Sequence, residues 1–174
     1  VSHLPSIFMK TSLTGLILIV DDTPTNLDVI SEALSDAGYN VAIATSGERA
    51  LKQLERRLPD LILLDVMMPG IDGFETCQFL KANPKTCDIP VIFMTALAAA
   101  DSKIKGFEVG AVDYITKPFQ EREVLARVKT HLQLSLLTHN LEQQVSEKNA
   151  QLQASQIQLI QKEKMSALGN LVAG

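Results

Sequence analysis

Five side chains suited to metal or phosphoryl chemistry stand at the ends of short apolar runs. Asp21 and Asp22 follow LILIV, Asp65 follows LILL, Thr95 follows VIFM, and Lys117 follows VDYIT. These runs are apolar on both faces, as in a central parallel strand that helices cover on both sides. Because open parallel sheets bind ligands at the carboxyl ends of their strands, we expect these side chains to share one edge of a sheet.

Three carboxylates at one edge would repel one another, and burying an ionised acid without compensation is costly. A divalent cation removes this conflict, and carboxylate oxygens with waters and a main-chain carbonyl suit Mg²⁺. Lys117 adds a second positive charge. In such surroundings Asp65 can attack a phosphorus atom as a nucleophile, while the cation, the ammonium group and the Thr95 hydroxyl stabilise the phosphoryl oxygens.

The elements that must position these side chains alternate between strand and helix five times. This alternation predicts an α/β fold, a doubly wound five-stranded parallel sheet of the flavodoxin-like order 2-1-3-4-5. The expected strands are Leu16–Val20, Val41–Ala44, Leu61–Leu64, Val91–Met94 and Val112–Thr116. The first four helices are expected to begin at Thr23-Pro24, Ser46, Asp72 and Asp101.

A single long helix is expected after the sheet. The 50 residues from Phe119 to Leu168 contain neither proline nor glycine, and as a helix they would be about 75 Å long. A narrow apolar seam with heptad-like steps predicts a coiled coil. Because such a helix would be only marginally stable by itself in water, we expect it to pair in a homodimer. The seam consists of Leu134, Leu137, Leu141, Val145, Leu152 and Leu159. A disordered glutamine-rich tail is the alternative.

Composition narrows the class of protein. The formal net charge of -4, without a cluster of Lys and Arg, argues against a nucleic-acid partner. No apolar run approaches the roughly 20 residues of a membrane span, so no membrane segment is expected. Residues 1–14 do not read as a signal peptide, and we expect a flexible leader there. Cys77 and Cys87 fit reduced thiols of a cytoplasmic protein.

Four motifs taken together resemble the receiver domain of two-component response regulators. They are VDD, LLDVMMPGIDG, MTA and KPF, and the resemblance covers about Leu16 to Leu132. It implies that Asp65 is the phosphoacceptor, with Thr95 and Lys117 as the family's phosphoryl-sensing hydroxyl and lysine. A histidine kinase or a phosphotransfer protein would be the phosphoryl donor.

The resemblance also implies a metal site. Asp22 and Asp65 would bind Mg²⁺ (or Mn²⁺) together with the main-chain carbonyl of Met67, and Asp21 would act mostly through a water. The side chains of Met67 and Leu97 would flank the path of a hydrolytic water without orienting it. We therefore expect a comparatively long-lived phosphoryl group and only slow autophosphatase activity.

Two further features follow from the same resemblance. Tyr114 stands where the family keeps an aromatic ring that swings inward as Thr95 moves, so both are candidate switch residues. Lys117-Pro118 matches a peptide bond that receivers hold in the cis form, which is accessible essentially only before proline.

The end of the chain carries a second resemblance. EKMSALGNLVAG is similar to the segment that precedes the phosphoacceptor histidine in sensor histidine kinases. We expect residues 15–132 to form the receiver domain, 133–162 a coiled-coil signalling helix, and 163–174 the start of a truncated kinase dimerisation segment. Such a chain accepts a phosphoryl group but has no kinase catalytic domain, and its output would be a histidine kinase.

Three other functions share some of these features. A phosphatase of the haloacid-dehalogenase type also uses an aspartate nucleophile, but it usually has a DxD motif where this chain has Asp21-Asp22-Thr23. A flavodoxin-like FMN carrier would need a phosphate-cradling loop, and DDTPTN repels phosphate unless a metal is bound. A scaffold with a degenerate receiver would not need the intact acidic cluster.

Overall fold

The computed structural model describes residues 15–96 and 100–173 of the 174-residue chain, so the expected leader at 1–14 lies outside the described residues. The strands are β1 Leu16–Val20, β2 Asn40–Ala44, β3 Leu61–Asp65, β4 Val91–Thr95 and β5 Asp113–Thr116. The helices are α1 Pro24–Asp36, α2 Gly47–Leu54, α3 Gly73–Ala82, α4 Ala100–Glu108 and α5 Glu121–Val172.

The five strands form one parallel sheet in the order β2-β1-β3-β4-β5, which confirms the predicted fold class. The order reverses between β1 and β3, which are hydrogen-bonded neighbours. Val20 pairs with Leu64, so the residues that follow them, Asp21 and Asp65, come at the same level. Asp65 in turn pairs with Met94, the residue before Thr95. The register therefore brings the acidic and polar residues at the strand ends to the same edge of the sheet.

Successive residues of each strand face opposite sides of the sheet, and both sides are covered. Leu18 and Val20 pack towards α2 and α3, whereas Ile17 and Ile19 pack towards α1 and the first turns of α5. All five residues of β1 are buried. This double burial explains why the strands read as continuous apolar runs rather than alternating ones.

Side-chain caps fix the starts of two helices as expected, but not of a third. The Ser46 hydroxyl accepts from the Arg49 amide at 3.2 Å, and Asp72 forms a reciprocal capping box with Glu75. Thr23 occupies the N-cap position of α1 and Pro24 follows it, as predicted, but the Thr23 side chain makes no capping hydrogen bond. The carboxylate of Asp21 instead accepts from the Thr23 amide at 2.8 Å.

Helix α5 is continuous over 52 residues, so the alternative of a disordered tail is wrong for its described part. The described part of the chain divides into two compact units, with the boundary between Gln133 and Leu134. In the first unit, Val124, Val128 and Leu132 of α5 are buried against the sheet. In the second unit, the side chains of the predicted seam are all 52–61% exposed. No described helix is long and apolar enough to cross a membrane.

An ionic cluster ties the first part of α5 to β5. Arg127 Nη1 donates to both carboxylate oxygens of Asp113, at 2.8 and 2.7 Å, and its Nε donates to Glu123 at 3.1 Å. His131 Nε2 lies 2.9 Å from Asp113 Oδ2. Burial alone would raise the pKa of Asp113, but the hydrogen bonds with His131 and Arg127 outweigh it and lower the pKa below its ordinary value.

Replacing Asp113 tests this cluster. A carboxyl group whose pKa is lowered by folding stabilises the native state above its unfolded pKa, and this contribution is lost as the pH falls through the folded pKa. We expect Asp113→Asn to lower the free energy of unfolding by about 1 kcal/mol at pH 7, because Arg127 and His131 lose a charged partner and one of its two acceptor oxygens. The deficit should shrink below about pH 4.

Urea denaturation between pH 3 and pH 8 measures this difference. Asp28→Asn is the control, since Asp28 is exposed on α1 and forms no ion pair with any described residue. An equal effect of the two substitutions at pH 7 would contradict the assigned role of the cluster.

Candidate functional site

The three carboxylates predicted from the sequence converge at the carboxyl edge of the sheet. Oxygen atoms of Asp21, Asp22 and Asp65 all lie within 4.8 Å of one another. Asp21 and Asp65 are buried, with 0% and 3% of their surface exposed, while Asp22 is exposed. The cluster thus has two acids inside the protein and one at its surface.

Lys117 provides the positive charge that the buried pair requires. Its Nζ lies 3.1 Å from Asp21 Oδ2 and 3.1 Å from Asp65 Oδ1. The Lys117 amide also donates to the Thr95 carbonyl at 2.8 Å, continuing the pairing of β5 with β4 by one residue. The Lys117–Pro118 peptide bond is cis. Lys117 therefore bridges the ends of three strands.

Asp21 has both oxygens engaged in protein contacts. Its Oδ1 accepts from the Thr23 amide, and its Oδ2 accepts from Asn26 Nδ2 at 3.1 Å as well as from Lys117. Asn26 was not identified from the sequence. Its position in the first turn of a helix that follows an aspartate pair could have indicated a hydrogen bond to one of those aspartates. Asp22, by contrast, accepts no hydrogen bond from any described residue, so its oxygens are open to a ligand.

The pKa values reflect this crowding. Burial and, after it, the charge of Asp21 raise the pKa of Asp65 to about 6, although Lys117 opposes both. Burial alone would lower the pKa of Lys117, but its hydrogen bonds to Asp21 and the charge of Asp65 outweigh it and raise the pKa. Two buried acids thus share one ammonium group, and Asp65 is the acid that remains under-compensated.

The loop from β3 to α3 begins at Asp65 and holds Met67. The Gly73 amide donates to the Val66 carbonyl at 2.9 Å and closes the base of the loop. A Cβ at Gly73 would collide with the carbonyl oxygen of Asp65, so glycine is required at this approach. The Met67 side chain is exposed, and its carbonyl as a metal ligand stays a prediction. Leu97, the other residue of the lifetime prediction, lies outside the described residues.

The two candidate switch residues lie on neighbouring strands. Thr95 is buried at the end of β4, and Tyr114 is half-buried on β5, where it pairs with Phe93. Both line a small cavity under α4. The Tyr114 ring meets Phe107 edge-on, with centroids 6.0 Å apart, and Lys103 Nζ lies 4.2 Å from its centroid. The movement of either residue stays a prediction.

The donor set fits a divalent cation. Three carboxylates against one ammonium group leave two unbalanced negative charges when all are ionised, which is the charge that one such ion neutralises. All the available donors are oxygen atoms, as Mg²⁺ and Mn²⁺ prefer. Asp22 supplies an exposed carboxylate and Asp65 a buried one, so an ion held between them would touch both protein and solvent.

Known proteins match the chain over its sheet-forming part. The family model described as the response regulator receiver domain matches residues 17–129. The DNA-binding dual master transcriptional regulator RpaA of Synechocystis is 47% identical over 116 residues, which are 67% of this chain and 48% of RpaA. The response regulator PleD of Caulobacter vibrioides is 42% identical over 131 residues, 75% of this chain and 29% of PleD.

A solved structure agrees with these matches. The signal receiver domain of a signal transduction histidine kinase from Syntrophus aciditrophicus is 38% identical with a TM-score of 0.65, covering 68% of this chain and 90% of that one. The chain spans about half the length of RpaA and under a third of PleD, so the matches concern the shared domain rather than those whole proteins.

The raised pKa of Asp65 predicts how the metal-free protein responds to pH. A group whose pKa is raised by folding stabilises the native state below its unfolded pKa, and this contribution is lost as the pH rises through the folded pKa, here about 6. In EDTA, we expect the free energy of unfolding to fall between about pH 4 and pH 7. Asp65→Asn, which cannot ionise, should be more stable than the wild type at pH 7 by on the order of 1 kcal/mol.

Chemical denaturation of both proteins in EDTA measures this effect. Addition of Mg²⁺ should raise the stability of the wild type at pH 7 more than that of Asp65→Asn. A wild type whose metal-free stability is flat between pH 4 and pH 7 would contradict the electrostatic account of the cluster.

Proposed function

The chain belongs to the response regulator receiver family, and on this premise we propose that it accepts a phosphoryl group on Asp65. The observation that carries the proposal is the convergence of Asp21, Asp22 and Asp65 beside Lys117, with Thr95 buried at the end of the next strand. The phosphoryl donor would be a histidine kinase or a phosphotransfer protein. A donor phosphorylated at the expense of ATP also favours a cytoplasmic location.

In the proposed reaction, a carboxylate oxygen of Asp65 forms a bond to phosphorus, and the bond from phosphorus to the donor breaks with its electron pair leaving on the donor. Lys117 keeps Asp65 ionised and stabilises charge on one phosphoryl oxygen, while the Thr95 hydroxyl donates to another. Asp22, Asp65 and the Met67 carbonyl would hold Mg²⁺ (or Mn²⁺), with Asp21 acting through a water. When bound, the cation neutralises charge on the phosphoryl oxygens.

The second unit suggests how the signal leaves the receiver. From Leu134 onward the apolar side chains of α5 have no partner among the described residues of the chain. A second copy of the same helix would cover them in a coiled coil, so we propose a homodimer through residues 133–162. Residues 163–174 would be the start of a histidine kinase dimerisation segment, and a kinase region would be the output. Thr95 and Tyr114 would convert phosphorylation into a change of helix pairing.

The rival functions receive less support. Oxygen atoms of the three acids lie within 4.8 Å of one another, and Lys117 contacts two of the acids, an arrangement that a degenerate scaffold would not need. A phosphatase would turn over phosphate esters repeatedly, whereas a receiver retains the group on Asp65. A net charge of -4 gives no support to binding of nucleic acid through its phosphates.

Phosphorylation is tested with acetyl phosphate and Mg²⁺. We expect the wild type to gain one phosphoryl group, seen by intact-protein mass spectrometry as a mass increase of roughly 80 Da. Asp65→Asn should gain none, because it lacks the nucleophile, and EDTA should abolish the gain. Asp88→Asn is the control, because Asp88 is an exposed aspartate in the connection before β4, at the opposite edge of the sheet from Asp65, and forms no ion pair with a described residue.

Modification of Asp65→Asn to the same extent as the wild type would refute Asp65 as the acceptor. Release of inorganic phosphate from a general phosphate ester over many cycles would instead favour the phosphatase.

Crosslinking tests the proposed relay. Single cysteines at Leu141, Val145 and Leu152 are introduced with Cys87 replaced by serine, while Cys77 is buried and stays in place. We expect disulfide-linked dimers at these seam positions, because facing core residues of a coiled coil lie close together. Their yields should change when beryllofluoride and Mg²⁺ mimic the phosphoryl group. Cysteine at Gln143, outside the seam, is the control, and identical patterns with and without the mimic would rule the relay out.

A further inference from the structure

The loop that carries Met67 is held at its tip by a side chain from another helix. Glu48, in the first turn of α2, accepts a hydrogen bond through Oε1 from the Ile71 amide at 3.0 Å. The two residues are 23 positions apart in the chain, so this bond joins the first turn of α2 to the loop between β3 and α3. Backbone hydrogen bonds, that from the Ile71 amide first, lower the pKa of Glu48 below its ordinary value.

The backbone of the loop is shaped to receive this carboxylate. Gly70 has a φ of +77°, a conformation that favours glycine. A Cβ at Gly70 would collide with Glu48 Oε1, so the carboxylate occupies the space that the missing side chain leaves. Gly47 similarly brings the start of α2 against Ile71 and Thr76, where a Cβ would also collide. Glu48 and Gly70 are thus a matched pair.

Two anchors therefore define the path of residues 66–73. The base is closed by the bond from the Gly73 amide to the Val66 carbonyl, and the tip is held by Glu48. Met67 lies between these anchors, two residues after Asp65. A main-chain carbonyl has no rotamer of its own, so its direction is set wholly by the path of the loop.

We propose that Glu48 is a positioning residue for the metal site, acting through the loop to aim the Met67 carbonyl at the ion. The inference rests on the proposed function, because it takes the Met67 carbonyl as a ligand beside Asp22 and Asp65. Glu48 itself touches neither the ion nor the phosphoryl group. Glu48 holds the loop in its binding conformation before the ion arrives, which removes the entropic cost of ordering the loop when the ion binds.

Mg²⁺ titration of the full chain, followed by backbone amide shifts in NMR spectra, tests this role. We expect Glu48→Ala to weaken Mg²⁺ binding about threefold to tenfold, the factor that corresponds to the loss of one hydrogen bond. Glu48→Gln keeps an acceptor oxygen at the same reach and should remain closer to the wild type. Glu55→Ala removes the same charge from the other end of α2, away from the loop, and should leave affinity unchanged.

A second measurement separates positioning from charge. Hydrogen exchange of the Ile71 amide should become faster in Glu48→Ala without metal, because this amide loses its acceptor. Equal affinity of Glu48→Ala and the wild type would overturn the inference, as would a Glu48→Gln protein as weak as Glu48→Ala. Weakened binding without faster exchange would overturn it too. If the wild type itself binds no Mg²⁺, the proposed function fails and the inference falls with it.

Discussion

The arrangement of the first unit depends on one electrostatic constraint, the burial of two carboxylates beside a single ammonium group. Asp21 and Asp65 each lie 3.1 Å from Lys117 Nζ, and one cation cannot fully compensate both acids. Burial and the nearby charge of Asp21 raise the pKa of Asp65 although Lys117 opposes them. An added cation would neutralise the excess negative charge of this site. It would also favour the ionised form of Asp65 over the protonated one.

The surrounding structure keeps this deficit at Asp65 rather than at Asp21. Asp21 receives hydrogen bonds from the start of α1 as well as from Lys117, so its charge is well supported although it is fully buried. Asp65 stands at the head of a loop that glycines allow to fold back closely against the strand. The two buried acids therefore differ in how many protein hydrogen bonds they accept, and the phosphoryl chemistry that we propose is at Asp65.

The second unit follows a different physical rule. Its helix has no described tertiary partner, and its exposed leucines are separated by lysine, serine and glutamine. Such a seam gives less apolar burial than an uninterrupted one, so its pairing would respond to small changes in free energy. A coil of modest stability suits a proposed role in signalling better than one in permanent structural support.

The sequence by itself determined the sheet, its strand order, the long helix and the identities of the acids, the hydroxyl and the lysine. It did so because strands buried on both faces read as continuous apolar runs, and the parallel topology places their carboxyl ends together. Only the tertiary structure decided which partners each acid has. These contacts join segments whose spacing carries no periodic signal. They are Asn26 beside Asp21, Glu48 against Gly70, and the hydrogen bonds of Asp113 with Arg127 and His131. Hydrogen bonds of this kind depend on side-chain directions that are set when the helices pack, and apart from the position of Asn26 just after the aspartate pair, no local pattern indicated them.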